Sequence, residues 1–149
     1  MYLVSSCLAG VNCRYDGYNN ENKDILNLVK EGKAIAVCPE QLAGLSTPRV
    51  PCEIVVGKNG NKKIVNKDGE DLTKEFMTGA EKTLAVAKAI GIKKAILKSK
   101  SPSCGCGSIY DGTFSGKLIK GNGFTTELLI KSGFEVYTEN DLEAGLFEK

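Results

Sequence analysis

Short, wholly apolar segments recur along this 149-residue chain, and they constrain the fold more than any other feature of the sequence. Residues 34–37 and 95–97 contain no polar side chain. A strand with one face in water alternates apolar and polar residues, whereas a strand covered on both faces is an unbroken apolar run. Such runs alternate with helical patterns. The chain is therefore predicted to form an α/β fold, with a mostly parallel sheet and helices on both faces.

Strand and helix patterns alternate over most of the sequence. We predict strands at residues 2–6, 34–37, 95–97 and 134–137, and helices at 24–29, 71–90 and, with Thr125 as its cap, up to Ser132. The Asn59-Gly60 pair between residues 53–56 and 63–66 predicts a β-hairpin outside the main sheet. No linker or repeat divides the chain, so we expect one domain over residues 1–149.

Composition excludes several classes of protein. The net charge is +2 with the signs interleaved, which gives no basic surface for a nucleic-acid polymer. No run approaches the ~18 apolar residues that a membrane span needs. The first residues lack the basic segment of a signal peptide. We therefore expect a cytoplasmic protein with a small-molecule ligand, and the sequence leaves its oligomeric state open.

The chain has six cysteines and no histidine. The cytoplasm keeps cysteines reduced, so we do not expect three disulfides. The absence of histidine excludes Ser-His-Asp and Cys-His catalysis and mixed Cys/His zinc sites. Any general base must then be Glu, Asp, Lys, Tyr or Cys.

Three of the cysteines follow predicted strands. Cys7 and Cys38 directly follow the first two strands, and Cys104 lies in the loop after the third. Ligands of parallel α/β sheets bind beyond the carboxyl ends of the strands, so these residues predict a three-thiolate site. Three dispersed thiolates suit an iron–sulfur cluster with one iron left free. Ordinary buried cysteines and a structural zinc site, which usually has C-x2-C pairs that this chain lacks, are the alternatives.

The other cysteines are less clearly assigned. Cys13 is a candidate fourth ligand, a reactive thiol or a packing residue, and its spacing does not separate these roles. Cys106 forms a Cys-Gly-Cys sequence with Cys104 and could replace it as a ligand. Cys52 begins a predicted hairpin strand, where simple packing is the plainer interpretation.

Polar residues accompany the candidate ligands. Glu40 lies two residues after Cys38, where a carboxylate could activate water near a metal or merely cap a helix. The segment 99–105 is rich in hydroxyls and turn residues and could hold an anion or a carbonyl oxygen. Arg49 could reach a phosphate or a planar carbonyl edge, or lie on the surface.

Five motifs in this order resemble the thiouracil desulfidase family. They are Ser-Cys-Leu-Ala-Gly at 6–10, Cys-Arg-Tyr-Asp-Gly at 13–17, Cys-Pro-Glu-Gln-Leu at 38–42, Thr-Pro-Arg at 47–49, and Ser-Pro-Ser-Cys-Gly at 101–105, which leads into Ile-Tyr-Asp-Gly-Thr-Phe at 109–114. The resemblance covers essentially the whole chain.

The resemblance implies a Rossmann-like three-layer fold and an oxygen-sensitive [4Fe-4S] cluster supplied by the iron–sulfur assembly machinery. It implies that Cys7, Cys38 and Cys104 hold the cluster and leave the fourth iron open. It further implies that Glu40 and Ser101 are catalytic, and that sulfur is removed from a thiolated pyrimidine, as base, nucleoside or nucleotide, to give the oxo form and sulfide.

One residue departs from the expected motif. Cys106 stands where the resemblance predicts a small or polar residue, so Cys106 and Cys13 remain possible substitutes for the third ligand. The alternative functions are a redox or sulfur-carrier protein that uses Cys13 and Cys104 as a thiol pair, and a binding module with a structural metal and no catalysis.

Overall fold

The structure is a computed structural model that describes residues 1–143. Its elements, in chain order, are β1 (Tyr2–Ser5), a 3₁₀ turn (Ser6–Ala9), α1 (Lys23–Lys30), β2 (Ala34–Val37), α2 (Pro39–Leu42), β3 (Cys52–Val56), β4 (Lys62–Asn66), α3 (Thr73–Ile90), β5 (Lys94–Leu97), β6 (Ser108–Tyr110), β7 (Leu118–Lys120), α4 (Phe124–Lys131), β8 (Glu135–Thr138) and α5 (Glu139–Glu143).

The central sheet has four strands in the order β2-β1-β5-β8. Every neighbouring pair in it is parallel. Val4 of β1 is level with Ala36 on one side and Ile96 on the other, so the carboxyl ends of these three strands lie side by side. The predicted parallel α/β architecture is confirmed. Within residues 1–143, no helix is both long and apolar enough to cross a membrane.

Consecutive residues of β1 explain why both faces of the sheet carry helices. Leu3 and Val4 are both fully buried, and neighbouring strand residues point to opposite faces. Leu3 belongs to a cluster that includes Leu129 of α4, whereas Val4 belongs to one that includes Ile25 of α1. Burying side chains of this size contributes about 1.5–3 kcal/mol each. The unbroken apolar run is therefore the consequence of a three-layer arrangement.

Two hairpins extend from the main sheet. Strands β3 and β4 form the predicted hairpin, and Gly60 in its turn has φ = +81°. The second hairpin, β6–β7, lies within the long loop of residues 99–123 and was not predicted. Ile54 of β3, Phe76 of α3 and Ile109 of β6 share one buried cluster. This third core fixes both hairpins against the amino-terminal half of α3.

The start of α4 differs from the prediction. The helix begins at Phe124, and Thr125 is fully buried without a hydrogen-bond partner for its hydroxyl. The N–H of Phe124 donates to the carbonyl of Pro102, and the N–H of Thr125 donates to the carbonyl of Ser103. The prediction of Thr125 as cap is wrong because backbone carbonyls of another loop satisfy the first helical amides.

Helix α2 lies in close contact with α3 at Gly79. A Cβ at this position would overlap the carbonyl oxygen of Pro39. The absence of a side chain therefore lets α3 support the segment that carries Cys38 and Glu40.

We expect Gly79→Ala to destabilise the protein. Overpacking costs about 1–3 kcal/mol, and the overlap here is with a backbone carbonyl that no side-chain rotation can relieve, so we expect a cost of about 3 kcal/mol. The gain in helix propensity returns about 1 kcal/mol, which leaves a net loss of about 2 kcal/mol. Urea unfolding measures it. Met77→Ala, at a half-exposed position of the same helix, is the control and should change stability by less than about 0.5 kcal/mol. Equal stability of Gly79→Ala and wild type would show that the close contact carries no constraint.

Candidate active site

A cavity of about 500 Å³ opens at the carboxyl ends of β2, β1 and β5. Five cysteines line it: Cys7, Cys13, Cys38, Cys52 and Cys104. Cys106 is not among the described residues that line it. The location agrees with the general rule that ligands of parallel sheets bind beyond the strand ends.

Each of the three strand-end cysteines reaches the cavity from its own strand. Cys7 lies in the 3₁₀ turn that follows β1, and Cys38 joins β2 to α2. Cys104 lies in the loop after β5, where its N–H donates to the hydroxyl of Ser101 at 3.1 Å. Because β1 is hydrogen-bonded to both β2 and β5, residues distant in sequence share one cavity. Their role as ligands stays a prediction.

Cys13 lies between two of these cysteines and interacts with both. A hydrogen bond with Cys13 lowers the pKa of Cys7, and a hydrogen bond with Cys13 lowers the pKa of Cys38 to about 7. The N–H of Gln41 also stabilises the Cys38 thiolate. The pKa of Cys13 is raised because its proton bonds to Cys38 and Cys7. Cys13 therefore favours the thiolate form of both Cys7 and Cys38.

Cys104 is also buried. Burial raises the pKa of its thiol, although hydroxyls of Ser5 and Ser103 favour the thiolate. The hydroxyl of Thr126 donates to the Cys104 carbonyl at 2.8 Å and fixes the backbone there. A buried thiol with hydroxyl donors around it becomes an anionic ligand when a cation compensates for its burial.

The donor set fits a thiolate-bound cluster. Soft sulfur ligands favour iron–sulfur clusters and similar thiophilic metals. Five cysteines line one cavity, and two of them, Cys7 and Cys38, have lowered pKa values. No three His, Cys, Asp or Glu side chains in residues 1–143 are arranged to hold a single metal ion.

Glu40 and Arg49 form a largely buried ion pair beside the cysteines. Their side chains are 13% and 10% exposed, and the Arg49 guanidinium bonds Glu40 Oε2. Arg49 also donates to the carbonyl of Cys13 at 3.1 Å, and its backbone N–H donates to the carbonyl of Tyr15 at 2.7 Å. Arg49 therefore connects the loop that contains Cys13 to Glu40 of α2.

The other carboxylate oxygen of Glu40, Oε1, faces the loop of residues 101–105, the serine loop. Ser103 Oγ donates to Glu40 Oε1 at 3.0 Å and lies 3.0 Å from Ser101 Oγ. Gly105 is required in this loop because a Cβ there would press against the Ser101 carbonyl. The sequence predicted a role for Ser101 but not for Ser103 of the same Ser-Pro-Ser-Cys-Gly motif. The two-residue spacing of the serines was the feature of the sequence that could have indicated it.

A second carboxylate, missed from the sequence, holds the start of the same loop. Glu139 accepts hydrogen bonds from the N–H of Ser99 at 2.8 Å and from its hydroxyl at 2.9 Å, and pairs with the Lys98 ammonium at 3.0 Å. The next residue, Lys100, lines the cavity with φ = +70°. A non-glycine residue in this region is strained and persists where its surroundings fix it.

An aromatic wall closes another side of the cavity. Tyr110 and Phe114 line it. The buried carboxylate of Glu53 accepts hydrogen bonds from the N–H groups of Gly112 and Phe114 at 2.9 and 3.1 Å. Glu53 thus orders the turn that carries both rings, which the sequence presented only as a turn followed by an aromatic residue.

The sheet and the cysteine-lined cavity at its carboxyl edge define a three-layer α/β protein with a thiolate centre. The family described as 2-thiouracil desulfurase matches residues 2–141 of the chain. The chain belongs to this family.

The chain is also similar to two known proteins. A Bacillus subtilis (strain 168) protein described as uncharacterized protein YbbK is 53% identical over 147 residues, which cover 95% of this chain and 97% of that protein. A solved structure of the [4Fe-4S]-dependent thiouracil desulfidase TudS superimposes with a TM-score of 0.87 at 43% identity. The match covers 96% of this chain and 93% of that one.

Because their pKa values differ, Cys38 and Cys52 should be alkylated over different pH ranges in the metal-free protein. The thiolate is the nucleophile, so Cys38 should react with iodoacetamide with a midpoint near pH 7 and Cys52 near pH 11. Peptide mapping by mass spectrometry after short pulses measures both. Cys13→Ala should move the Cys38 midpoint toward the ordinary ~8.5. Identical profiles for Cys38 and Cys52 would contradict the proposed hydrogen bonding.

Glu139 should stabilise the fold in a pH-dependent way. Burial opposes its ionisation, but the Ser99 N–H and the Lys98 ammonium outweigh burial, so the pKa of Glu139 is lowered. Its contribution is present above the ordinary carboxyl pKa of ~4.3 and is lost as pH falls through the lowered folded value.

We expect Glu139→Gln to cost about 1–3 kcal/mol at pH 7 and the difference from wild type to shrink at pH 3. Urea unfolding at both pH values measures this. Glu81→Gln, on the exposed face of α3, is the matched control. A difference that stays constant between the two pH values would rule out the ionised carboxylate as its source.

Proposed function

We propose that this protein is a [4Fe-4S]-dependent desulfidase that removes sulfur from a thiolated uracil and releases the oxo base and sulfide. The observation that carries the proposal is the convergence of Cys7, Cys38 and Cys104 on one cavity beside the buried carboxylate of Glu40. The family membership and the likeness to TudS support the same chemistry. The described cysteines do not favour a Cys13–Cys104 thiol pair, because the hydrogen-bond partners of Cys13 are Cys7 and Cys38.

Cys7, Cys38 and Cys104 would hold the cluster, and the thiol of Cys13 would favour the thiolate forms of Cys7 and Cys38. When bound, the cluster supplies an iron without a protein ligand, which acts as a Lewis acid toward a thiocarbonyl sulfur. We further propose that iron–sulfur assembly proteins of the cytoplasm deliver it.

The protein's own groups carry the proton chemistry. Glu40 acts as general base for the attacking water, since no histidine exists in the chain. Arg49 holds Glu40 Oε2 and keeps a charge opposite the carboxylate in a buried setting. Ser101 lines the cavity and orients the water or the ring. Tyr110 and Phe114 provide apolar surface for a planar pyrimidine and exclude bulk water from it.

Anaerobic reconstitution tests the ligand assignment. Cys7→Ser, Cys38→Ser and Cys104→Ser should each lose the absorbance at about 400 nm that is expected of thiolate-bound clusters and should release no sulfide from thiouracil. Cys106→Ser is the control, since Cys106 lies outside the described lining of the cavity. A full cluster in Cys38→Ser, or its loss in Cys106→Ser, would overturn the assignment.

The Glu40→Gln variant tests the role of Glu40 as general base independently of cluster binding. It should keep the cluster absorbance and lower turnover by about 10²–10⁴-fold, the usual contribution of a positioned general base. Sulfide release and iron content measured on the same preparation decide the outcome. Full turnover in this variant would show that Glu40 is not the base.

A further inference from the structure

The carboxylate of Glu53 is buried without a cation beside it. Glu53 is 9% exposed, and no lysine or arginine within residues 1–143 forms an ion pair with it. Buried charges in proteins are normally paired or satisfied by hydrogen bonds. Because Glu53 also lines the cavity, the hydrogen bonds of its two oxygens indicate what this carboxylate does.

Only one oxygen of Glu53 is engaged by the fold. Oε1 accepts the N–H groups of Gly112 and Phe114, at 2.9 and 3.1 Å. Oε2 receives no hydrogen bond from any residue that the structure describes, yet it is not sealed from solvent. Since Glu53 lines the cavity, Oε2 is the oxygen that remains available to a ligand there.

The packing of β3 fixes the position of this carboxylate. Neighbouring strand residues point to opposite faces. Ile54 belongs to the buried cluster beneath the hairpins, so Glu53 points away from that cluster, toward the turn of residues 111–116. The turn lies directly on β3, because a Cβ at Gly112 would come within 2.8 Å of the Ile54 carbonyl oxygen. An acceptor held in this way loses little freedom when a ligand binds.

The other carboxylate of the cavity is already occupied. Glu40 and Glu53 are the two carboxylates among the described residues that line it. Arg49 occupies Oε2 of Glu40, and Ser103 occupies Oε1. The remaining charged side chains of the lining are lysines and arginines, which only donate. Within the described lining, Oε2 of Glu53 is therefore the carboxylate oxygen that is left to accept a hydrogen bond from a ligand.

We propose that Glu53 is a substrate-binding residue, whose Oε2 accepts a hydrogen bond from a ring N–H of the thiolated pyrimidine. This inference rests on the proposed desulfidase function. A uracil-type ring carries N–H groups at its nitrogens N1 and N3, and both lie on its edge. Tyr110 and Phe114 offer apolar surface to the faces of the ring. Such surface does not distinguish one edge from another, whereas a fixed polar group does.

Recognition of an N–H predicts which rings the site rejects. A ring with a methyl group on the recognised nitrogen brings no donor and leaves the buried Oε2 without a partner. Sites that bind a substrate N–H discriminate strongly against analogues that lack it, because the polar group of the protein is then unpaired. The nitrogen also decides the class of substrate. N1 carries the sugar in a nucleoside, so recognition of N1–H selects the free base, whereas recognition of N3–H admits nucleosides.

Methylated analogues test the proposal in the wild-type enzyme. Sulfide release by the anaerobically reconstituted protein is measured with 4-thiouracil and with its 1-methyl and 3-methyl derivatives. One derivative should lower kcat/KM by about 10–100-fold, the range for a hydrogen bond to a charged group, and the other should be accepted much better. An equal loss with both derivatives, or no loss with either, would overturn the proposal.

The Glu53→Gln variant separates substrate recognition from the ordering of the turn. Its amide oxygen can still accept both N–H groups of the turn, whereas its NH₂ group puts a donor in place of Oε2. The variant should keep the urea stability and the cluster absorbance of the wild type. It should raise KM for 4-thiouracil by about 10–100-fold with little change in kcat, as expected for the loss of a binding interaction.

The same variant should also lose the preference between the two methylated derivatives, because the oxygen that distinguishes them is gone. Glu70→Gln, at an exposed position after β4, is the matched control and should keep both KM and the preference unchanged. If Glu53→Gln does not fold, the two derivatives assayed with the wild type still decide the outcome.

The outcomes separate this inference from the desulfidase function. A wild type with a full cluster that releases no sulfide would overturn the function. Calorimetry of uracil binding to the same preparation would then still test Glu53, since the oxo base carries the same N–H groups, and Glu53→Gln should weaken binding by about 10–100-fold. An active wild type together with an unchanged KM in Glu53→Gln would overturn the role of Glu53 alone.

Discussion

The parallel pairing of β1 with β2 on one side and β5 on the other is the constraint on which the site depends. Backbone hydrogen bonds set Tyr2 level with both Ala34 and Lys94, so the three strands end together. The thiols of residues 7, 38 and 104 then meet although they lie far apart in sequence. Any change that shifted one strand against its neighbours would move one of these cysteines away from the other two.

The second requirement is the largely buried ion pair between Glu40 and Arg49, which is costly to remove from water. Removing a carboxylate and a guanidinium from water costs several kcal/mol per ion, so such a pair is weak evidence of stability. The Glu40–Arg49 pair recovers part of this cost through further bonds to Ser103 and the Cys13 carbonyl. The same bonds connect α2 with the loop that contains Cys13 and with the loop of residues 101–105. They therefore hold the polar groups of the site in fixed positions.

The sequence indicated the sheet and the cysteine convergence because both follow from local patterns: unbroken apolar runs and residues that directly follow them. The bonds around Glu40 could not be read in this way. Arg49, Ser103 and Glu139 reach their partners across loops whose paths depend on the assembled core, and no spacing rule encodes those paths. Thr125 was misassigned for the same reason, since the carbonyls of a distant loop cap α4. The three-residue strands β6 and β7 are too short to show an alternating pattern.

Because the three cysteines lie far apart along the chain, they become available at different times during synthesis. During synthesis the ribosome releases Cys7 and Cys38 long before Cys104, and β5 must join β1 before the third sulfur is in position. A partly made chain offers at most an incomplete chelate. Under the proposed ligand assignment, the three sulfur donors would come together only after β5 has paired with β1, and the first amides of α4 hold the loop that carries Cys104 in place.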